Sequence, residues 1–185
     1  MKNLGTKKLE TERLILRKFE LSDIEELFYN GYIRDELMTE NLSWKPCKTI
    51  EEQRKIIEEW VNNYKELNFY KWLIELKDTH ELIGGIDVCN LYEKKDYGEV
   101  GYCISSKHWN KGYATEALRK VIEYLLIDCE FHLVEAHHAG YNLASGRVMQ
   151  KAGMKKDGEL RERRFDKKTG KYTPQVYYSI IKEEL

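Results

Sequence analysis

Proline is nearly missing, with two residues, Pro46 and Pro174, among 185. There is no Pro/Gly-rich linker, internal repeat or low-complexity tract, so residues 1–185 are expected to form a single domain. An excess of charge is missing too. Lys and Arg total 31 and Asp and Glu 32, for a formal net charge of −1, which leaves no basic surplus of the kind nucleic-acid binding uses. No apolar run approaches the ~20 residues of a membrane span, and the opening MKNLGTKKLETERL lacks the apolar core of a signal peptide. The expectation is a cytoplasmic protein with no nucleic-acid partner and no membrane. The four cysteines, Cys47, Cys89, Cys103 and Cys129, make no CxxC pair or Cys/His cluster. No metal is therefore expected, and the thiols read as reduced. Neither the Walker phosphate loop nor the Rossmann GxGxxG pattern occurs.

What is present is a sequence of alternating periods. Glu12–Phe19 (ERLILRKF) reads as a first strand. Ser22 with Glu25, and Thr49 with Glu52, match the capping-box pattern that starts helices. The second box opens a helix with Ile50, Ile57, Trp60, Val61, Tyr64 and Leu67 on one face. Asn41–Cys47 reads as the loop before it. Phe69–Leu76 and Glu81–Cys89 read as a hairpin across a polar turn. Gly98–Ser105 is the next strand, and Gly112–Asp128 is helical, with Ala114, Ala117, Leu118, Val121, Ile122, Leu125 and Leu126 inward. Phe131–His138 reads as a strand, and Asn142–Ala152 as a helix ended by Gly153. Met154–Phe165 and Lys171–Ile181 close the chain around a turn at Asp166–Gly170. This order predicts a mixed α/β sheet with helices on both faces. Gly98 to His138 forms a parallel crossover, with a ligand site past the strand end near Ser105–Lys111.

The crossover enters its helix through Trp109-Asn110-Lys111-Gly112-Tyr113-Ala114-Thr115-Glu116-Ala117. Unpaired N–H groups and the helix dipole attract anions there, and Lys107 and Lys111 add charge. On physics alone this suits an ordinary capped crossover helix better than a phosphate site. The residues themselves go further. WNKGYATEAL resembles the acyl-CoA pyrophosphate loop of the GNAT acetyltransferase superfamily, in particular its branch of Rim-type ribosomal-protein N-terminal acetyltransferases. Trp109 stands where that loop usually has Gln or Arg. TERLILRKFELSD, GEVGYCIS and YNLASGRVMQKAGMKKDGELRE resemble other segments of the same branch, in the same order.

The resemblance implies a GNAT-like acyl-CoA acyltransferase fold, with a mostly antiparallel sheet of about seven strands flanked by helices. It implies acetyl-CoA as co-substrate and an enzyme that acetylates an amine by direct attack. The pyrophosphate would rest on the main chain of Asn110, Lys111, Gly112, Tyr113 and Ala114, with Trp109, Thr115, Asn142, Ser145 and Arg147 alongside. The pantetheine would pair with the main chain of Cys103, Ile104 and Ser105. Glu99 is the implied general base, against the alternative of a surface strand carboxylate. The tyrosine of the superfamily's N-x-x-A-x-x-x-Y pattern is missing, because Met149 takes its place after Asn142 and Ser145. Ser145 is then the residue expected to touch the CoA sulfur, with Tyr141 as second choice; the alternative for Ser145 is a helix-turn serine bonding its own backbone. Asn142 suits either a helix cap or a CoA contact, and Glu116 is expected to support the loop.

His137 and His138, adjacent in a strand, point to opposite faces and cannot share a metal. Arg161–Lys168 reads as a solvated hairpin. Trp60, Trp72 and Tyr70 read as core, and Trp44 as core or acceptor mouth. The acceptor expected first is a protein N-terminus such as that of a ribosomal protein. A small-molecule amine (polyamine, amino sugar or antibiotic) follows closely, because acceptor choice lies in loops without a shared motif; Pro174-Gln175 also departs from the branch. A non-catalytic acyl-CoA-binding module and a generic phosphate-ligand protein are the other readings. Lys171–Ile181, taken as an edge strand, leaves a homodimer open.

Overall fold

The computed structural model describes residues 1–40, 42, 44–166 and 168–185. Asn41 and Ser43, in the loop expected over Asn41–Cys47, and Lys167, in the turn expected over Asp166–Gly170, lie outside the described residues. The strands are β1 Leu9–Glu10, β2 Leu14–Arg17, β3 Lys71–Leu76, β4 Leu82–Tyr92, β5 Tyr97–Ile104, β6 Leu133–Ala139, β7 Lys155–Asp166 and β8 Lys171–Ile181. They form one sheet in the order β1-β2-β3-β4-β5-β6-β8-β7. The strand beyond the seven or so expected is the short β1, which pairs Leu9 with Leu16. Every neighbouring pair runs antiparallel except β5 and β6.

That parallel pair positions the site. Its register holds only for Tyr97 with Leu133, Gly98 with Val134 and Glu99 with Glu135. Beyond Glu99 the two strands diverge, and β5 runs on to Ile104 beside β4 alone. A second feature corrects an expectation. Lys171–Ile181 is not an edge strand, because β8 pairs with β6 on one side and β7 on the other. The edge is β7, whose KKDGELRERRFD is dense in charge, and charge on an edge discourages pairing with another sheet.

The helices are α1 Ile24–Tyr29, α2 Glu36–Thr39, α3 Ile50–Asn63, α4 Tyr113–Glu123 and α5 Leu143–Lys151. Two buried clusters lie under them. One joins Ala117, Leu118, Val121 and Ile122 of α4 to Leu14, Leu16, Val100 and Val134 of the sheet. The other joins Phe19, Ile24, Leu27 and Ile57 to Leu73 and Leu82. In the first, Trp72 is fully buried and meets Tyr124 edge-on at 5.9 Å, and burying one such large apolar side chain stabilises the fold by about 1.5–3 kcal/mol. Helix α4 continues as one wider π-helical turn, Tyr124–Asp128, so the helix expected to Asp128 changes its winding there. Among the described residues, no helix is long and apolar enough to cross a membrane.

Two helix starts repay comparison. Thr49 Oγ1 accepts from Glu52 N at 3.2 Å and Glu52 accepts from Lys48 N at 2.8 Å, so the second capping box forms, displaced by one residue on its return leg. The first does not involve Ser22 and Glu25. Asp23 accepts from Glu20 N at 2.8 Å, and Arg17 Nη1 and Nη2 hold the same carboxylate at 2.9 and 2.8 Å. The forked guanidinium fixes Asp23 as the capping group, and a short 3-10 turn, Leu21–Asp23, precedes α1. Helix α3 ends at Asn63, so Leu67 falls past its apolar face and is exposed.

Candidate active site

The turn into α4 is built for an anion. Asn110 and Gly112, on either side of Lys111, both take left-handed backbone, with φ of 61° and 84°, and a turn that mixes such residues with ordinary backbone can curl N–H groups toward one side. Glu116 N is bonded to Gly112 O at 3.0 Å, so the N–H groups of Tyr113, Ala114 and Thr115 precede the helix's own ladder and lack intrahelical partners. They border a cavity of about 380 Å³ lined by Tyr102, Cys103 and Ile104 of β5, the 108–115 turn, and Asn142, Ser145, Arg147 and Lys151 of α5. Donors from a helix N-terminus facing two cationic side chains suit a diphosphate.

Arg13 and Glu116 fasten this turn to β2. Arg13 Nε donates to Glu116 Oε2 at 2.7 Å, Arg13 N to Glu116 Oε1 at 2.9 Å, and Arg13 Nη1 to Lys111 O at 3.0 Å. The guanidinium also sits 4.6 Å from the centre of the Tyr113 ring. Burial works to raise the Glu116 pKa, but hydrogen bonds from Thr11 and Arg13 outweigh it and hold the carboxyl below its ordinary value. Glu116 is thus a fastener of the loop, as its sequence suggests.

The main-chain groups nearest the cavity are not all free. Ser105 N donates to Ile83 O at 2.8 Å, and by the alternation of an antiparallel ladder Cys103 N also faces β4. Ile104 O accepts from the Trp109 indole at 2.7 Å. Tyr102 and the Ile104 N–H therefore face the gap left by β6, and a β-type partner would pair with them. Ser105 turns away altogether. Its hydroxyl donates to Asp35 at 3.1 Å, Ser106 N donates to the same oxygen at 2.6 Å, and Asp35 also caps α2 through Met38 N. The Lys111 side chain and Tyr141 do not line the cavity.

Asn142 and Ser145 do line it. Asn142 Oδ1 accepts from Ser145 N at 3.3 Å, which makes Asn142 the cap of α5. Ser145 Oγ lies 2.9 Å from Tyr102 Oη, whose proton has a second acceptor in Ser145 O, also at 2.9 Å. Burial raises the Tyr102 pKa despite that hydrogen bond, so the phenol stays protonated. The sequence lacks a tyrosine on α5 at the usual spacing, and the structure brings Tyr102 of β5 against Ser145 instead.

A second cavity, of about 400 Å³, opens on the α1–α3 side. Phe19, Tyr32, Trp44, Trp60, Asp87 and Lys71 line it, and it shares Leu42, Tyr102 and Cys103 with the first. The two cavities therefore meet at the end of β5. Lys71 pairs with Asp87 across the β3–β4 register and lies 4.5 Å over the Trp60 ring. Asp87 in turn stands opposite Gly101 of β5. Burial pushes the Cys103 thiol up to about 12, which removes it as a nucleophile at neutral pH. Two larger hollows, of about 680 and 570 Å³, border Tyr92–Lys95 and the Asp35–Ser106 clasp, and neither reaches α4.

Glu99 lines neither cavity. It sits where the β5–β6 register ends, 2.9 Å from His137 Nε2 and 3.0 Å from Asn90 Nδ2. The His137 bond holds its carboxyl below the ordinary value against the effect of burial. His137 and His138 do face opposite ways: His138 Nε2 packs against Gly146 of α5. Among the described residues, no group of three or more His, Cys, Asp and Glu side chains is arranged to hold a metal.

This arrangement has relatives. Residues 13–155 match the model of the acetyltransferase (GNAT) domain. The N-acetyltransferase YoaA of Bacillus subtilis strain 168, itself uncharacterized, is 34% identical over 174 residues, covering 94% of this chain and 96% of its own. A GNAT-family acetyltransferase from Bacillus anthracis superposes with a TM-score of 0.81 at 26% identity, over 96% of this chain and 100% of the other. The RimL ribosomal L7/L12 alpha-N-protein acetyltransferase in complex with coenzyme A shares the fold, with a TM-score of 0.82 at 16% identity, over 95% and 98% of the two chains. The chain belongs to the GNAT acetyltransferase family and is an acyltransferase.

Proposed function

We propose that this protein acts as one domain over residues 1–185, in the cytoplasm, and moves the acetyl group of acetyl-CoA to a primary amine by direct attack. The observation that carries the reading is the meeting of two cavities at Leu42, Tyr102 and Cys103. One cavity has the donors and cations a CoA diphosphate needs, and the other gives an amine its own approach. Bound acetyl-CoA would supply an acyl thioester open to attack.

The N–H groups of Tyr113 to Thr115, with Arg147 and Lys151, hold the phosphates. Tyr102 and Ile104 present main-chain groups to the pantetheine arm. Asp87 takes the proton of the attacking amine, since it lines the acceptor cavity beside Gly101 to Cys103. Lys71, paired with Asp87, holds that carboxylate in place. Glu99, the base expected from sequence, acts one step further off, through His137. When the Tyr102 proton points at Ser145 Oγ, the serine proton is free for the departing sulfur.

A small-molecule amine is the acceptor the cavity favours over a protein N-terminus. Peptide main chain needs a donor or acceptor at each residue, and the walls here are largely apolar. The Rim-type reading, a protein N-terminus, draws on Trp44, which is 39% exposed beside the cavity. There a chain could leave after its first side chain had filled the hollow.

Release of free thiol from acetyl-CoA with a mixed panel of amines, alongside CoA calorimetry, tests the reading. Amine-dependent release supports it. Tight CoA binding with no release for any amine would make the chain a non-catalytic acyl-CoA module instead.

A further inference from the structure

Three features of the acceptor cavity narrow the amine, on the assumption that the acetyl-transfer reading holds. The first is its walls. Phe19 and Trp60 meet edge to face at 4.9 Å and 63°, and with Tyr32, Trp44 and Ile57 they form an aromatic and aliphatic socket. A volume of about 400 Å³ lies at the small end of ligand sites, sized for a ring system with a short chain.

The second is its charge. Among the described residues, two ammonium groups, Lys45 and Lys71, line the cavity against one carboxylate, Asp87, and Lys71 already holds that carboxylate. A polycation would find no free anion for its second charge and would face two like charges instead. A single amine needs only one proton acceptor.

The third is an unmet hydrogen bond. Gln53 is 1% exposed and lines the cavity. Its Nε2 donates to Ile24 O at 2.8 Å, which fixes the amide's orientation, and its Oε1 is buried with no partner among the described residues. Buried carbonyl oxygens are ordinarily paired, and one left open calls for an N–H or O–H donor.

We infer that the acceptor is a small arylalkylamine whose ring system carries one N–H or O–H donor. The ring sits among Phe19, Tyr32 and Trp60, the donor satisfies Gln53 Oε1, and the single primary amine reaches the junction at Tyr102 and Cys103. Transfer forms a nitrogen–carbonyl carbon bond and breaks the carbon–sulfur bond. Of the two protons the ammonium form gives up, one ends on the sulfur and one in solvent.

The test compares tyramine and tryptamine, which carry the donor, with phenethylamine, which does not, and with spermidine and short peptides. Binding to the protein with CoA present is measured by calorimetry, and turnover by thiol release. Tyramine should bind about tenfold tighter than phenethylamine, the effect of one buried hydrogen bond. That gap should close in Gln53→Met. The ratio of the two ligands within the variant is insensitive to any loss of fold stability. Trp44→Ala should weaken all three arylalkylamines and leave CoA affinity unchanged. Turnover of spermidine or peptides with no arylamine binding would overturn the substrate class and leave acetyl transfer standing. Equal affinities for tyramine and phenethylamine would overturn the role of Gln53. Failure of CoA itself to bind would instead remove the transfer reading beneath both.

Discussion

Arg13 and Glu116, 103 residues apart in sequence, close on each other through a 2.7 Å hydrogen bond from Arg13 Nε and a 2.6 Å contact from Arg13 Nη2. The same guanidinium holds Lys111 O, so one ion pair sets the pose of the whole turn into α4. Glu116→Gln should cost about 1–3 kcal/mol of stability, the range for charge-assisted hydrogen bonds. It should also weaken CoA binding, as denaturant melts and calorimetry would show.

The pair also predicts an acid response. The Glu116 carboxyl is held below its reference value of 4.5, so the folded state binds its proton less readily than the unfolded chain. Its contribution is complete above the unfolded value and is lost as pH falls through the lower, folded one. The stability profile of Glu116→Gln should run parallel to wild type at neutral pH and converge toward it below about 4.5.

Gly112→Val should abolish CoA binding. Its φ of +84° is one that L side chains rarely adopt, and an added Cβ would stand 3.4 Å from Arg13 Nη2. Left-handed backbone costs a non-glycine residue about 1–2 kcal/mol, more for a β-branched one. Unchanged CoA affinity would show that the phosphates lie elsewhere.

Ser145→Ala should lower kcat on the order of 10²-fold, as loss of one aimed donor does, with CoA affinity held. Tyr102→Phe should lower kcat less, since the serine hydroxyl remains and only its orienting partner goes. A rate unaffected by Ser145→Ala would remove both from the chemistry.

Asp87→Asn should slow turnover more than Glu99→Gln, because Asp87 borders the proposed acceptor cavity and Glu99 does not. The ranking is read from kcat with saturating acetyl-CoA. The reverse order would return the base to Glu99 and His137.

In the proposed site, the residues legible in the sequence are those where chemistry and local chain order coincide. Trp109 to Thr115 lie on one turn between a strand and a helix, and Asn142 and Ser145 on one helix start, so their neighbours in space are their neighbours in sequence. Asp87 and Tyr102 escaped because the roles proposed for them come from elsewhere in the chain. Asp87 gains its place from the register that sets it opposite Gly101, and Tyr102 from Ser145, 43 residues away. Neither relationship has a period or a motif. The capping error at Ser22 has the same origin: Arg17 outside the motif decides which carboxylate caps. Strand periods survived well, but Lys171–Ile181 could not be told from an edge strand, since the order β6-β8-β7 is a property of the assembled sheet.

The three residue pairs joining β5 to β6 divide the sheet into two panels along a short seam, and the proposed coenzyme cleft lies where that seam opens. A ligand lodged there acts as mortar between the panels. By mass action it stabilises the fold by about 2.7 kcal/mol at a hundredfold excess over its dissociation constant. The lifetime of the protein inside a cell would then rise and fall with the supply of that ligand. Starved of it, the empty form would be the first to reach the proteases.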